Sequence, residues 1–244
     1  MTERQAMLHF NYSMHTSAMS IKFHMTSKGL ELPKAALFDW DNTLVDTWPV
    51  IHESMNTTLS AMGHDVWRMD ETRARVRRAL REAFPPLFGD RWEEARDIFY
   101  KRFREIHLER LEVLPGAEAA LKSFVNRGVF LGVVSNKMGD HLRKEAVHLG
   151  WDKYFGQIVG ATDAVKDKPA PEPVEMALQG SGAAPGPAVW FVGDTEIDME
   201  CGHNTGCVKI LVRETKPSDG EFTNFQPDKH FVNCSDLSAL VSAL

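Results

Sequence analysis

No run of about 18 apolar residues occurs in the 244-residue chain, so nothing in it reads as a membrane-spanning helix. Cysteine is scarce. Cys201, Cys207 and Cys234 are odd in number and form no CxxC pair, which excludes a disulfide framework or a zinc knuckle and points to a reduced, cytoplasmic setting. "CGHNTGC" (201–207) offers three ligand types but no fourth, and Cys207 opens an apolar strand, so the thiols read as buried structural groups. A basic excess is missing too: Lys and Arg total 28 against 34 Asp and Glu, a formal net charge of -6, which argues against nucleic acid as a partner. There is no internal repeat or low-complexity tract. "GSGAAPGP" (180–187) precedes a strand pattern instead of opening a helix and reads as a turn, not a nucleotide loop. Residues 1–33 scatter His, Ser, Thr and Met without the apolar core of a secretory signal; they read as a flexible N-terminal extension, with Met25 an alternative start.

Short apolar runs each closed by polar residues are what the chain does have. "KAALFD" (34–39), "GVFLGVVSN" (128–136), "PAVWFVGD" (187–194), "CVKILV" (207–212) and "KHFV" (229–232) read as strands, while "GAEAALKSFVNRG" (116–128) and "DHLRKEAVHLG" (140–150) have helical spacing closed by glycine. Strands alternating with helices predict an α/β fold: a Rossmann-like parallel sheet with helices on both faces, built from residues 34–48 and 114–244. Residues 49–113 show no strand pattern and predict a small all-helical cap domain. In it Ile51, Met55, Leu59 and Met62 share one face; "DETRARVRRALREAF" forms a second helix, broken by "FPPLFGD" (84–90); and a third has Trp92, Ile98, Phe103 and Ile106 in its core. Arg73, Arg77 and Arg81 form a stripe that is either a solvated face or, with Arg78, an anion-binding surface.

"FDWDNTLVDT" (38–47) places two carboxylates at a strand end. In an extended segment Asp39 and Asp41 point the same way and Trp40 the other, toward the core, so both acids can face one site at the carboxyl edge of the sheet, where open α/β sheets place ligands. Two more strand ends finish in Ser135-Asn136-Lys137 and in Gly193-Asp194-Thr195-Glu196-Ile197-Asp198. Helix N-capping accounts for Ser135 and Asp194 but leaves Asp198 and the first pair of acids unexplained. In "KDKPAPEPVEMAL" three prolines hold the chain extended beside Lys168, which is either solvated or turned toward those acids. If Asp39, Asp41, Asp194 and Asp198 converge, their charge needs cations; Lys168 and a divalent metal would largely neutralise it, and oxygen-only ligands favour Mg²⁺ over zinc.

Asp39-x-Asp41-x-Thr43, Ser135, Lys168 and Gly193-Asp194-x-x-x-Asp198 resemble, in order, the four motifs of the haloacid dehalogenase superfamily. "LPGAEAAL", "KPAPEPV" and "VGDTEIDMECGHNTGC" are further similar to its phosphoglycolate phosphatase-like branch, whose helical cap follows the first motif. The resemblance implies a Mg²⁺-dependent phosphatase acting on a small-molecule phosphate ester, as a monomer or homodimer. Asp39 would be the nucleophile forming an aspartyl-phosphate, and Asp41 the acid and base. Asp39, Asp194 and the main-chain carbonyl of Asp41 would bind the metal, and Asp198 would orient a metal-bound water or Lys168. Ser135, Asn136, Lys168 and Thr43 would hold the phosphate. Asn42 stands where the family usually has Gly, and Asn tolerates the left-handed geometry such a turn needs.

Asp41 argues against dehalogenation, in which a halide leaves without a proton. A sugar phosphomutase shares all four motifs, but His52 lies one place later than the cap histidine typical of mutases. A non-catalytic binding protein on the same fold would ordinarily lack the nucleophile or a metal ligand, and none is missing here.

Overall fold

A short, nearly continuous apolar run makes a strand that must be covered on both faces. The computed structural model, which describes residues 29–76 and 80–244, puts five such segments and a short sixth into one all-parallel sheet in the order β5-β4-β1-β6-β7-β8. The first strand, β1 (Ala35–Phe38), lies at its centre, in register with β4 through Ala35 and Phe130 and with β6 through Ala35 and Val189. Its residues are fully buried and alternate between faces: Leu37 joins a cluster with Val174, Ala177 and Phe191, while Phe38 meets the Phe124 ring edge-on at 5.6 Å.

After β1 the chain forms β2 (Val45–Asp46), then the helices α1 (Trp48–Ala61), α2 (Met69–Arg75), α3 (Leu80–Phe88) and α4 (Trp92–Ile106), and returns through β3 (Glu112–Val113), which pairs antiparallel with β2. The helices pack around their own apolar cluster, including Val50, Met55, Leu59, Phe84, Phe99 and Phe103, while Leu32–Leu244 hold together as one compact unit. Three expectations shift here. Pro85 and Pro86 do not end a helix but lie inside α3, because Phe84 and Phe88 pack at 5.0 Å and Phe84 on Phe99 at 5.8 Å, and that burial outweighs the amide donors the prolines lack. The buried face of α4 is Ala95, Phe99, Phe103 and Ile106, with Trp92 and Ile98 only partly covered. In α1, Val50 is buried and Ile51 partly so.

The remaining chain alternates as expected: α5 (Ala117–Asn126), β4 (Phe130–Met138), α6 (Gly139–His148), β5 (Gln157–Ala161), α7 (Glu172–Ala177), β6 (Val189–Gly193), α8 (Glu196–Asn204), β7 (Val208–Val212), β8 (Lys229–Phe231) and α9 (Cys234–Ala243). The strand β5 was not legible in the sequence. The chain runs from β1 out through β4 to β5 and then crosses back to β6, so the carboxyl ends of β1 and β6 flank the point where the winding reverses, the usual ligand site of such sheets. Most of the N-terminal extension, residues 1–28, lies outside the described residues, as do Arg77 and Arg78, and no helix among the described residues is long and apolar enough to cross a membrane.

Candidate active site

Asp39 lies one residue beyond β1, its amide donating to the Val192 carbonyl at 2.8 Å, so the β1–β6 pairing fixes its backbone. The next residues form a tight loop: the Leu44 amide donates to Trp40 O at 3.0 Å, the Asn42 amide to Val45 O at 2.7 Å, and Asn42 takes φ 61°, the left-handed geometry in which Asn substitutes for Gly. Asp194 leaves β6 beside it. Gly193 is required because a Cβ there would overlap the Asp198 side chain, whose Oδ2 lies 2.6 Å from the Cβ position. Thr195 and Asp198 cap α8 reciprocally, with the Thr195 amide donating to Asp198 Oδ2 at 3.0 Å and its hydroxyl at 2.6 Å.

Lys168 unites these strand ends. Its ammonium donates to Asp39 Oδ1 at 2.6 Å and to Asp198 Oδ1 at 2.7 Å with 2% of its side chain exposed. Asn136 at the end of β4 holds the Lys168 backbone from both sides: its Nδ2 donates to Lys168 O at 3.2 Å and its Oδ1 accepts from the Lys168 amide at 3.0 Å. Burial disfavours the Lys168 charge, but Asp198 and Asp39 outweigh it and raise the pKa, so the ammonium persists. The carboxylates respond oppositely. Burial first, with Asp198 and Asp41 adding to it against the pull of Lys168, pushes Asp39 up to about 7. Asp194 is raised well above the usual carboxylate range, chiefly by desolvation and then by Asp198 and Asp39.

Asp41 faces a second set of partners. Thr47 donates its hydroxyl to Asp41 Oδ1, and the buried Lys137 ammonium lies 2.6 Å from the same oxygen. Lys137 also reaches Glu145 Oε2 on α6 at 2.6 Å; that oxygen accepts from Trp40 Nε1 at 2.7 Å, and Glu145 Oε1 lies 2.8 Å from His107 Nδ1 at the end of α4. Trp40 is fully buried, but it carries a polar contact beyond the core packing its position suggests.

The sequence-predicted residues therefore fall into two groups. Asp39, Asp194, Asp198 and Lys168 converge, and Asp41 lies close enough to raise Asp39. Ser135 is buried at the same edge with its Oγ accepting from the Lys137 amide at 3.2 Å, and the Thr43 hydroxyl donates to Asp194 Oδ1 at 3.2 Å. Lys137, Thr47, Glu145 and His107 were missed. Only Lys137 had a signal, since the period of two in β4 sets it beside Ser135. The three cysteines are buried and unpaired, and desolvation pushes the thiols of Cys201 and Cys234 up to about 12, which suits structural groups.

One oxygen each of Asp39, Asp194 and Asp198 lie within 4.8 Å of one another, with no nitrogen or sulfur ligand among them. Asp198 has both its oxygens engaged by Lys168 and Thr195, which leaves Asp39 and Asp194 as the acids best able to give a cation a free oxygen. All-carboxylate donors whose ionisation is suppressed by burial and then by one another fit a hard divalent cation, which would offset both.

Comparison with known proteins agrees with this geometry. The profile of the family described as "Haloacid dehalogenase-like hydrolase" matches residues 36–212. Pyrophosphatase PpaX of Listeria innocua is 30% identical over 84% of this chain and 94% of its own, and phosphoglycolate phosphatase of Aquifex aeolicus is 30% identical over 73% of this chain and 84% of its own. A haloacid dehalogenase-like family hydrolase from Streptococcus pneumoniae, 23% identical, shares the fold with a TM-score of 0.75 over 84% of this chain and 97% of its own. With the family profile spanning β1 to β7 and its motifs gathered at one sheet edge, the chain belongs to the haloacid dehalogenase-like hydrolases.

Proposed function

We propose that this chain is a Mg²⁺-dependent phosphatase that hydrolyses a small phosphorylated metabolite through an aspartyl-phosphate on Asp39. The observation that carries the reading is the buried Lys168 ammonium joining Asp39 to Asp198 beside Asp194 at the carboxyl edge of the sheet. Family membership and the names of the two relatives support it.

In this reading an Asp39 oxygen attacks phosphorus in line with the departing oxygen. Asp41 gives a proton to that oxygen and later takes one from the water that cleaves the aspartyl-phosphate. Lys168, kept charged by its two carboxylate partners, acts as a fixed cation for the phosphoryl oxygens, together with Ser135 and the Asn136 amide. The Thr43 hydroxyl orients Asp194, and Asp198 anchors Lys168. Asp39, Asp194 and the Asp41 carbonyl would hold Mg²⁺, which supplies charge neutralisation between nucleophile and phosphate.

Residues 49–113 act as a cap that shields this edge from water and selects the substrate. Phosphoglycolate and pyrophosphate, which give the two relatives their names, both carry a second anionic group, and in this reading Arg73 on α2 is the cap cation that receives one. Its guanidinium lies over the ring of Trp48, the residue that follows Thr47 in the chain, and it pairs with no carboxylate among the described residues. A mutase reading gains nothing from His52, whose Nδ1 lies 2.8 Å from Thr72 Oγ1 and whose Nε2 lies 3.3 Å from Asn56 Nδ2.

Phosphate release from a panel of small phosphate esters and pyrophosphate, with Mg²⁺ and with chelator, tests the proposal. Release should require the metal and fall by on the order of 10³-fold or more in Asp39→Asn. Turnover retained in that variant would sink the mechanism.

A further inference from the structure

The polar cluster behind Asp41 belongs to none of the four motifs. Lys137 and Glu145 have 5% and 1% of their side chains exposed and lie 2.6 Å apart. A buried ion pair survives only when its remaining hydrogen-bonding capacity is met, and here both Glu145 oxygens and a second face of the Lys137 ammonium have partners. Glu145 accepts from Trp40 and contacts His107, and Lys137 spends its second contact on Asp41. Because Glu145 offsets the Lys137 charge, Asp41 gains a close ionic contact at 2.6 Å from a group that adds little net charge to the site. Thr47 occupies the same Oδ1, which leaves Oδ2 as the oxygen available to substrate. The anchors come from three directions: Trp40 is adjacent to Asp41 in the chain, Glu145 lies on α6, and His107 ends α4 of the helical layer.

We propose that Lys137, held by Glu145, is a positioning residue that fixes the Asp41 carboxyl so that one oxygen faces the departing oxygen of the substrate. The inference rests on the phosphatase reading, in which Asp41 is the proton donor. In the assisted step, an Asp39 oxygen forms a bond to phosphorus, the bond from phosphorus to the ester oxygen breaks, and the Asp41 proton passes to that oxygen. An alkyl phosphate needs the proton because an alkoxide is a poor leaving group; a nitrophenyl phosphate does not, since nitrophenolate leaves unprotonated. A misplaced Asp41 therefore penalises alkyl esters selectively, whereas general disturbance of the site penalises both alike.

The test is kcat/KM, which reports the steps through leaving-group departure, for an alkyl ester such as glycerol phosphate and for p-nitrophenyl phosphate, in wild type, Lys137→Met and Glu145→Gln with Mg²⁺ present. Lys137→Met should lose about 10- to 100-fold on the alkyl ester, less than the roughly 10²- to 10⁴-fold of general acid catalysis as a whole because Asp41 itself remains, and less than about threefold on the aryl ester. Glu145→Gln should move the ratio in the same direction by less, and it carries the test alone if Lys137→Met does not yield folded protein. An unchanged alkyl-to-aryl ratio in a folded variant, with wild type active, overturns this inference and leaves the phosphatase reading standing. Wild type inactive on every ester overturns both.

Discussion

Arg73 combines exposure with a fixed position: stacking over Trp48 at 5.8 Å is worth about 0.5–1 kcal/mol at an exposed site, enough to bias the guanidinium without consuming its donors. Other cap arginines are engaged, Arg75 with Glu71 at 3.3 Å and Arg102 with Glu53 and Glu105. Arg73→Ala should therefore raise KM for a substrate with a second anionic group about tenfold, the equivalent of about 1.4 kcal/mol, while kcat stays within about twofold. Steady-state kinetics on phosphoglycolate and pyrophosphate measure it, and an unchanged KM for both would remove Arg73 from substrate recognition. At this scale the acids of the site were legible because Asp39 and Asp194 each close an apolar run, with Asp41 and Asp198 at short spacing behind them, a local signal. Glu145 was not, because its hydrogen bond from Trp40 spans 105 positions of chain, and Lys137 takes on a role only through its contacts with Glu145 and Asp41. Of the stripe expected from Arg73, Arg77 and Arg81, Arg77 and the Arg81 side chain lie outside what the structure describes, as does Arg78.

The elements that the sequence concealed are those whose residues are small or whose partners are distant. The strands β2 and β3 have two residues each, too short for any periodicity, and exist because they pair with each other where the chain leaves and re-enters the sheet. In β5, Gln157–Ala161, two of five residues are Gly or Ala, so the apolar signal is weak. The glycine has a purpose in packing. A Cβ at Gly160 would lie 2.7 Å from the Lys137 carbonyl and 2.7 Å from the Gly139 amide nitrogen, inside the junction of β4 and α6. Gly160→Ala should thus cost about 1–3 kcal/mol as the strand is forced away, read as a lower urea midpoint with an unchanged m-value. Since Lys137 sits in that junction, the same variant should also lower kcat. A wild-type midpoint would mean that the junction yields without cost.

For the whole molecule the decisive quantity is the charge gathered at the sheet edge. Asp39 titrates near 7 when folded and metal-free, against 3.8 for an unperturbed carboxyl. Between those values the folded chain holds a proton that the unfolded chain has released, so rising pH favours unfolding, and the loss is complete above about 7. The interval sets Asp39's share at roughly 4 kcal/mol, using about 1.36 kcal/mol per pH unit. Asp194, raised as well, acts in the same direction. His141 opposes them: desolvation, with His107 and Lys137 beside it, lowers its pKa from 6.5 to about 4, so the folded chain binds fewer protons there and stability rises with pH across that interval. The raw profile is therefore flattened, and the informative measurement is the unfolding free energy of Asp39→Asn minus that of wild type, in chelator, from pH 4 to 8. His141 cancels in that difference. It should grow with pH, in favour of the variant, and level off near pH 8. Adding Mg²⁺ should stabilise wild type most at the alkaline end, where its carboxylates are free to bind, and should stabilise the variant less. A difference independent of pH would mean that Asp39 ionises in the fold as it does in water, and that the acids of this edge are not held in tension awaiting a cation.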